Sequence, residues 1–143
     1  MDRLLIMPCS KTKRRMRGEA IQVYDGPAYK ILRSYLDIQD DVDVYIISAK
    51  YGVIRGIDII EPYDELMSDE KREIYRTKYA DMFKSMIPRY RDVFFLKMGD
   101  RYDILPTDIP NVKIPDKGPI GVMLSSYRRW LFDNRRIETN IWF

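Results

Sequence analysis

Residues 3–13 read RLLIMPCSKTK: a mostly apolar run, then a proline, the only cysteine of the chain and a group of polar and basic residues. An uninterrupted apolar run is typical of a strand that is buried on both faces, as in parallel sheets that carry helices on both sides. Small and hydroxyl-bearing residues beside lysine, directly after such a strand, favour a loop that binds an anion. The stretch therefore predicts a sheet strand at residues 3–7 and a binding loop after it.

Three more segments predict strands. Residues 42–48 and 93–98 are rich in β-branched and aromatic side chains, and residues 112–114 form a shorter apolar stretch. The connection at residues 51–67 is long and carries Ile57, Ile59 and Ile60, which favours one additional short strand within it.

Three helices are predicted to lie among these strands. The first begins at Pro27, the second begins near Ser68 and ends or kinks at Pro88, and the third opens at Gly118 and Pro119. In each helix, the spacing of the apolar residues defines one face that is directed toward the core. The predicted inward residues are Ala28, Ile31, Leu32, Tyr35 and Leu36, then Tyr75, Tyr79, Met82, Phe83, Met86 and Ile87, then Ile120, Met123, Leu124, Tyr127 and Leu131.

The alternation of strands and helices predicts an α/β fold with right-handed crossovers. With 143 residues, the chain is expected to form one domain over residues 1–143. The specific prediction is a single three-layer, Rossmann-like sandwich whose mainly parallel sheet has about four to five strands.

The amino-acid composition excludes several kinds of catalytic site and metal site. The chain has no histidine and one cysteine, which excludes histidine-based triads and relays, a histidine-ligated metal site and a thiolate zinc site. A lone cysteine favours a reducing, cytoplasmic location. No apolar run is long enough for a transmembrane helix, and the positive charge follows the first apolar run, unlike a signal peptide.

The loops that follow the predicted strands are similar in amino-acid composition. If the strands are parallel, these loops meet at one edge of the sheet, where open α/β folds bind ligands. Each loop places small or hydroxyl residues beside lysine or arginine, and several tyrosines, including Tyr102, lie in positions suited to stacking on a base. The predicted ligand-binding residues are Ser10, Lys11, Lys13, Tyr24, Ser48, Lys50, Tyr51, Gly52, Tyr63, Gly99, Arg101 and Gly118.

Three residues are candidates for catalysis. Asp64 is the first choice for a general acid or base, and Glu61 is the second, because both flank Tyr63 in a predicted turn. Cys9 is the third, as a thiolate beside cations. The structural alternatives stay open at this point: Asp64 also suits a turn cap, and Cys9 also suits a small core position.

Four short motifs together resemble a known family. They are Cys9-Ser10-Lys11-Thr12-Lys13, Val23-Tyr24-Asp25-Gly26-Pro27-Ala28-Tyr29, Ile47-Ser48-Ala49-Lys50-Tyr51-Gly52, and Glu61-Pro62-Tyr63-Asp64. The set is similar to a prokaryotic and phage domain of unknown function with CSxxK, LYxG, SAKYGL and PYD motifs, whose late helix ends in Trp-Leu, as at Trp130-Leu131. Val23 and Tyr29 stand where that family often has Leu and Phe. The family is distantly similar to the YaaA peroxide-stress group and to enzymes of modified-base metabolism, which implies a role with nucleotides or nucleic acids.

Three functions follow as expectations. The first is an enzyme or binding domain for a nucleotide, a nucleoside or a nucleic-acid base; an enzyme would be a hydrolase or transferase at an N-glycosidic or phosphate bond. The second is a non-catalytic nucleic-acid-binding module that uses residues 13–17, Arg128, Arg129, Arg135 and Arg136. The third is a stress-related interaction protein. No resident cofactor or membrane partner is expected, although Mg²⁺ bridged through ligand phosphates is compatible with the carboxylates. The apolar residues 140–143 are expected to dock on the body or on a second subunit.

Overall fold

One five-stranded sheet forms the centre of the molecule. The computed structural model describes the backbone of residues 2–141 and the side chains of residues 2–132. The strand order is β4-β3-β1-β6-β7, and every neighbouring pair is parallel except β3 with β4. The strands of this sheet are β1 (Arg3–Pro8), β3 (Val42–Ser48), β4 (Gly52–Arg55), β6 (Asp92–Phe95) and β7 (Val112–Lys113). A separate antiparallel pair is formed by β2 (Gly18–Glu19) and β5 (Ile59–Ile60).

Helices cover the two faces of the sheet. They are α1 (Ala20–Val23), α2 (Pro27–Leu36), α3 (Asp69–Met86) with a following 3-10 turn (Ile87–Arg89), and α4 (Ile120–Ile141). Side chains of α1, α2 and α4 pack with Leu5 and Met7 on one face, and those of α3 pack with Leu4 and Ile6 on the other. The α/β fold with a mainly parallel five-stranded sheet is therefore confirmed, and its layers are those of a three-layer sandwich.

The first strand lies where its sequence predicted. β1 pairs in parallel with both β3 and β6, and Leu5 faces Val44 on one side and Phe94 on the other. Four consecutive β1 residues, Leu4 to Met7, are fully buried. A strand covered by helices on both faces has no polar side, which explains the unbroken apolar run.

Helix boundaries follow their predicted signals. Pro27 occupies the first turn of α2, where its missing N–H costs nothing. The Ser68 side chain accepts a hydrogen bond from the backbone N–H of Lys71 at 3.1 Å and caps α3. α3 ends at Met86, and Pro88 lies in the 3-10 turn that follows, as predicted.

Several predicted details were wrong. The third predicted strand ends at Phe95 rather than at residue 98, and the fourth ends at Lys113, because the chain turns out of the sheet into loops at those points. Ile120 was assigned to the inward face of its helix but is 55% exposed, because it lies in the first turn beside an open cavity. Two elements, β2 and α1, were not predicted, since each is too short to show a periodic pattern.

The long connection after β3 contains two short strands instead of one. Gly52 has a φ of 79°, a conformation that glycine adopts readily, and it turns the chain back so that β4 runs antiparallel to β3. This turn is why the sheet is mixed at one edge.

A buried arginine connects α4 to the edge of the sheet at which the parallel strands begin. Arg3, at the start of β1, is 1% exposed, and its guanidinium donates to the Tyr35 hydroxyl at 3.1 Å and to the carbonyl oxygen of Trp130. The guanidinium also stacks 4.1 Å from the centre of the Trp130 ring. Carboxylates of Asp41 and Asp92 lie 3.6 and 3.7 Å away. The arrangement explains why a charged residue begins an otherwise apolar strand.

The Asp92 carboxylate is expected to make stability depend on pH. Burial alone raises its pKa, but hydrogen bonds from Lys113 and Trp130, with the charges of Lys113 and Arg3, lower the pKa below the ordinary value of 3.8. A lowered pKa in the folded state stabilises the protein above the ordinary pKa, and the stabilisation disappears as the pH falls through the folded value. Urea unfolding between about pH 6 and pH 3 should show that the stability difference between the wild type and Asp92→Asn is constant at the higher pH and shrinks at the lower. A difference that grows on acidification would contradict this assignment.

Two of the predictions concern residues near the end of α4. Side chains beyond residue 132, including those of Arg135 and Arg136, lie outside the described residues, and so does the predicted docking of residues 140–143. Within the described part of the chain, every helix is too short or too polar to cross a lipid bilayer.

Candidate functional site

A cavity of about 450 Å³ opens at the carboxyl edge of the parallel strands. This volume lies within the range of roughly 300–1,000 Å³ that is typical of small-molecule sites. The loops after β1 and β6 and the first turns of α2 and α4 line it. The lining residues are Pro8, Cys9, Ser10, Gly26, Pro27, Ala28, Tyr29, Leu96, Met98, Gly99, Asp100, Arg101, Tyr102, Ile120 and Leu124.

The floor of the cavity belongs to the hydrophobic core. Ala28 and Leu96 are buried, and Met98 and Leu124 pack against them while facing the cavity. The floor is thus formed where α2, α4 and the end of β6 meet. An apolar floor suits a flat, weakly polar group of a ligand.

The loop after β1 brings a hydroxyl group to the cavity. The Ser10 hydroxyl donates to the Thr12 carbonyl oxygen at 2.8 Å, which fixes the side chain and leaves its oxygen available as an acceptor. A Cβ atom at position 26 would lie 2.6 Å from Ser10 Oγ, so a glycine there allows the β1 loop to approach the start of α2. The positive end of the α2 dipole therefore faces the same space as Ser10.

Arg101 contributes a cationic side chain to the cavity wall. In the same loop region Lys97 Nζ lies 3.2 Å from an Asp103 carboxylate oxygen. Among the ion pairs of residues 2–132, none involves Arg101. Its side chain is exposed at the rim, where a planar, two-pronged donor can receive an anion.

Cys9 and Tyr102 form a hydrogen-bonded pair inside the cavity. The Cys9 thiol donates to the Tyr102 hydroxyl oxygen at 3.2 Å, and the Cys9 backbone N–H bonds the Ile47 carbonyl oxygen at 3.0 Å. Burial raises the pKa of Tyr102 well above its usual range. The phenol therefore keeps its proton at neutral pH and can donate it to a ligand.

Next to the cavity lies a group of three hydroxyls, which we call the hydroxyl cluster: Tyr24, Ser48 and Tyr63. The Tyr24 hydroxyl donates to Ser48 Oγ at 2.9 Å, and the Tyr63 oxygen lies 2.7 Å from that of Tyr24 and 2.9 Å from Ser48 Oγ. Ser48 also accepts from the backbone N–H of Tyr51 at 3.0 Å. Burial raises the pKa of Tyr24 to about 12 and that of Tyr63 further. The cluster is thus neutral and internally bonded.

Two lysines cover the hydroxyl cluster. Lys13 Nζ lies 4.3 Å from the centre of the Tyr63 ring, and Lys50 Nζ lies 5.3 Å from that of Tyr51. The rings of Tyr51 and Tyr63 meet edge to face at 5.5 Å. These cation–π contacts hold the two ammonium groups against the aromatic rings. The cluster joins the cavity through the Tyr24 ring, which packs 5.4 Å from that of Tyr29 in the cavity wall.

The residues predicted from the sequence fall into three groups. Cys9, Ser10, Gly99 and Arg101 line the cavity. The hydroxyl cluster and its cover contain Lys13, Tyr24, Ser48, Lys50, Tyr51 and Tyr63. Lys11, Gly52, Glu61, Asp64 and Gly118 do not line the cavity, although Lys11 directly follows Ser10.

The two predicted carboxylates lie on the surface. Asp64 is exposed, and the Glu61 carboxylate lies 3.9 Å from Arg17. The cavity wall contains a different carboxylate, Asp100, which sequence reasoning missed although it adjoins the predicted Arg101. The apolar floor was missed too, because Ala28, Leu96 and Leu124 give the same sequence signal as ordinary core residues.

Residues 2–132 contain no group of three acidic or sulfur ligands that could hold a metal ion.

A model of one protein family, described as a family of unknown function (DUF6884), matches residues 4–128. The matched range contains every residue that lines the cavity and the whole hydroxyl cluster. No curated protein matches the chain.

Proposed function

We propose that this chain, which belongs to the DUF6884 family of unknown function, binds a nucleotide or nucleoside in the cavity at the edge of its sheet. The observation that carries the proposal is the composition of the cavity. An apolar floor that can receive a base adjoins a rim that offers hydroxyl groups and Arg101, an arginine with no carboxylate partner among the ion pairs of residues 2–132.

The base would lie on the floor formed by Ala28, Leu96 and Leu124. A heterocycle needs apolar contact on its faces and a few hydrogen bonds at its edges. The Tyr102 hydroxyl can donate and the Ser10 oxygen can accept, so both kinds of edge group have a partner. This combination favours a heterocycle over a purely apolar ligand.

The phosphate would lie at the rim. Arg101 supplies a charge-assisted, two-pronged hydrogen bond, and the start of α2 adds a partial positive charge. Asp100 lies beside Arg101 and contributes a negative charge. Because Asp100 lies 3.9 Å from Lys97 and no described ion pair joins it to Arg101, the Arg101 guanidinium stays available to a single phosphate group.

A reaction at the bound ligand would use the same groups. Hydrolysis or transfer at a glycosidic or phosphate bond requires an acid or base within hydrogen-bond reach of the reacting atoms. Asp100 and Tyr102 line the cavity, with Asp100 86% exposed at its rim, whereas Asp64 and Glu61 lie outside it. We therefore propose Asp100 as the carboxylate of any such reaction.

Replacing Arg101 with glutamine is expected to weaken nucleotide binding by about ten- to a hundredfold, because a hydrogen bond to a charged group contributes about 1.5–3 kcal/mol. The measurement is isothermal titration calorimetry with the four common ribonucleoside monophosphates and their nucleosides. The loss should be confined to the phosphorylated ligands.

Arg89→Gln is the matched control, since Arg89 is an exposed arginine in the 3-10 turn before β6, at the other edge of the sheet. It should bind as the wild type does. Absence of binding for every nucleotide and nucleoside, in a wild-type protein shown to be folded, would refute the proposed function.

A further inference from the structure

An exposed basic ridge runs along the loop after β1, and we define it as Lys11, Arg14, Arg15 and Arg17. All four side chains are exposed, and Met16 between them is 77% exposed. Lys11 directly follows Ser10, which lines the cavity. The ridge therefore begins where the cavity wall ends.

The ridge is fixed on the protein by backbone hydrogen bonds. The Asp25 N–H bonds the Thr12 carbonyl oxygen at 2.9 Å, and the Arg14 N–H bonds the Val23 carbonyl oxygen at 2.8 Å. Lys13 also forms a β-bridge with Tyr24. These contacts hold the backbone of the loop in place, so a ligand need not order the backbone.

The charge of the ridge is poorly neutralised. Arg14 lies 3.7 Å from Asp25, and Arg17 lies 3.9 Å from Glu61 with both side chains 70% exposed. Exposed pairs of this kind contribute little and exchange readily for another anion. Within the described ion pairs, Lys11 and Arg15 have no carboxylate partner.

We propose that the basic ridge binds the phosphate backbone of a single-stranded nucleic acid, one of whose bases enters the cavity. The inference rests on the proposed function, because the cavity must accept the base. Several exposed cations along one tied loop fit a chain of phosphates, whereas a free mononucleotide would use only the rim at Arg101. A single strand is favoured over a duplex because its bases reach a cavity with the smallest unstacking and unpairing cost.

The test uses fluorescence anisotropy with a fluorescein-labelled 12-nucleotide single strand of mixed sequence, made as DNA and as RNA, at 50 to 200 mM KCl. The variant is Lys11→Gln/Arg15→Gln, which removes two charges outside the cavity. We expect the wild type to bind the strand tightly and to bind it more weakly as the salt concentration rises. Each phosphate contact of a single strand contributes about 0.7 to the slope of log K against log salt, so removing two charges should reduce the magnitude of the slope by about 1.4. Comparison of the two strands shows whether the 2′-hydroxyl matters.

Lys84→Gln/Arg89→Gln removes the same charge from the end of α3 and the following turn, and it should keep the wild-type slope. Calorimetry with the mononucleotide separates the two proposals. If the mononucleotide binds and the strand binds no more tightly, the ridge proposal is overturned and the proposed function stands. The same conclusion follows if the mononucleotide binds and the salt slope of strand binding is equal in the two double variants. Equal binding of polyglutamate or of anionic lipid vesicles also overturns the ridge proposal, since the ridge would then attract any polyanion. Failure of both nucleotide and strand to bind overturns both proposals.

Discussion

Replacing Arg3 with methionine is expected to lower the free energy of unfolding by about 3–5 kcal/mol, the cost of removing one partner from a buried ionic group. The guanidinium is 1% exposed and bonds the Tyr35 hydroxyl and the Trp130 carbonyl oxygen. Methionine fills the volume of the side-chain stem but leaves the half-buried Asp92 carboxylate without this cation. The stacking on Trp130, which anchors α4, is lost as well.

Urea unfolding followed by far-UV circular dichroism measures this loss. Arg89→Met is the control, because Arg89 is exposed and should change stability by no more than about 0.5 kcal/mol. Arg3→Lys should fall between the wild type and Arg3→Met, since lysine keeps the charge but lacks the planar fork. A loss below about 1 kcal/mol in Arg3→Met, in a variant with native circular dichroism, would show that the buried charge is not needed for stability.

Replacing Ser48 with alanine is expected to destabilise the protein by about 1–3 kcal/mol, because the Tyr24 hydroxyl, the Tyr63 hydroxyl and the Tyr51 N–H each lose a hydrogen-bond partner. Ser48 is fully buried at the end of β3, and its oxygen accepts from the Tyr24 hydroxyl and from the Tyr51 N–H. Alanine leaves the two tyrosine hydroxyls bonded only to each other. The backbone N–H groups of Lys50 and Tyr51 lose this acceptor as well.

A double-mutant cycle with Tyr63→Phe isolates this contribution. The Tyr63 oxygen lies 2.9 Å from Ser48 Oγ, so the two single losses should not add, and the coupling energy should be about 0.5–3 kcal/mol. Ser34→Ala is the matched control, because Ser34 is an exposed serine on α2. Additive losses would mean that the hydroxyl cluster does not act as a unit.

These two variants separate support of the fold from support of the site. Arg3 lies at the start of β1, and Ser48 lies at the opposite edge beside the cavity. Loss of Ser48 should therefore also weaken the proposed ligand binding, through the Tyr24 ring that packs on Tyr29. Loss of Arg3 should weaken binding only at denaturant concentrations where the protein unfolds.

Local sequence signals predicted much of the fold. The apolar run of β1, the Pro27 and Ser68 helix starts and the Pro88 stop each depend on neighbouring residues, and each lies where predicted. The membership of a family of unknown function was also predicted from short motifs. Short elements such as β2, and the antiparallel turn at Gly52, depend on contacts with distant residues and gave no periodic signal.

The candidate site was predicted less completely. Parallel strands bring Ser10, Gly99 and Arg101 to one edge, as the strand order implied. The sequence could not distinguish polar residues that face the cavity from those that bond one another. Ser48 and Tyr63 were predicted to contact a ligand, and in the fold their hydroxyl groups also form a hydrogen bond with each other.

The sequence by itself determined that this chain forms helices on both sides of a mainly parallel sheet, because hydrophobic periodicity and capping act over a few residues. Only the tertiary structure decided that Ala28, Leu96 and Leu124 leave a cavity, that Asp100 rather than Asp64 lines it, and that Arg101 has no carboxylate partner among the described ion pairs. A cavity exists where packing between distant segments is incomplete. The pairing of a charge likewise depends on distances between residues that lie far apart in the chain.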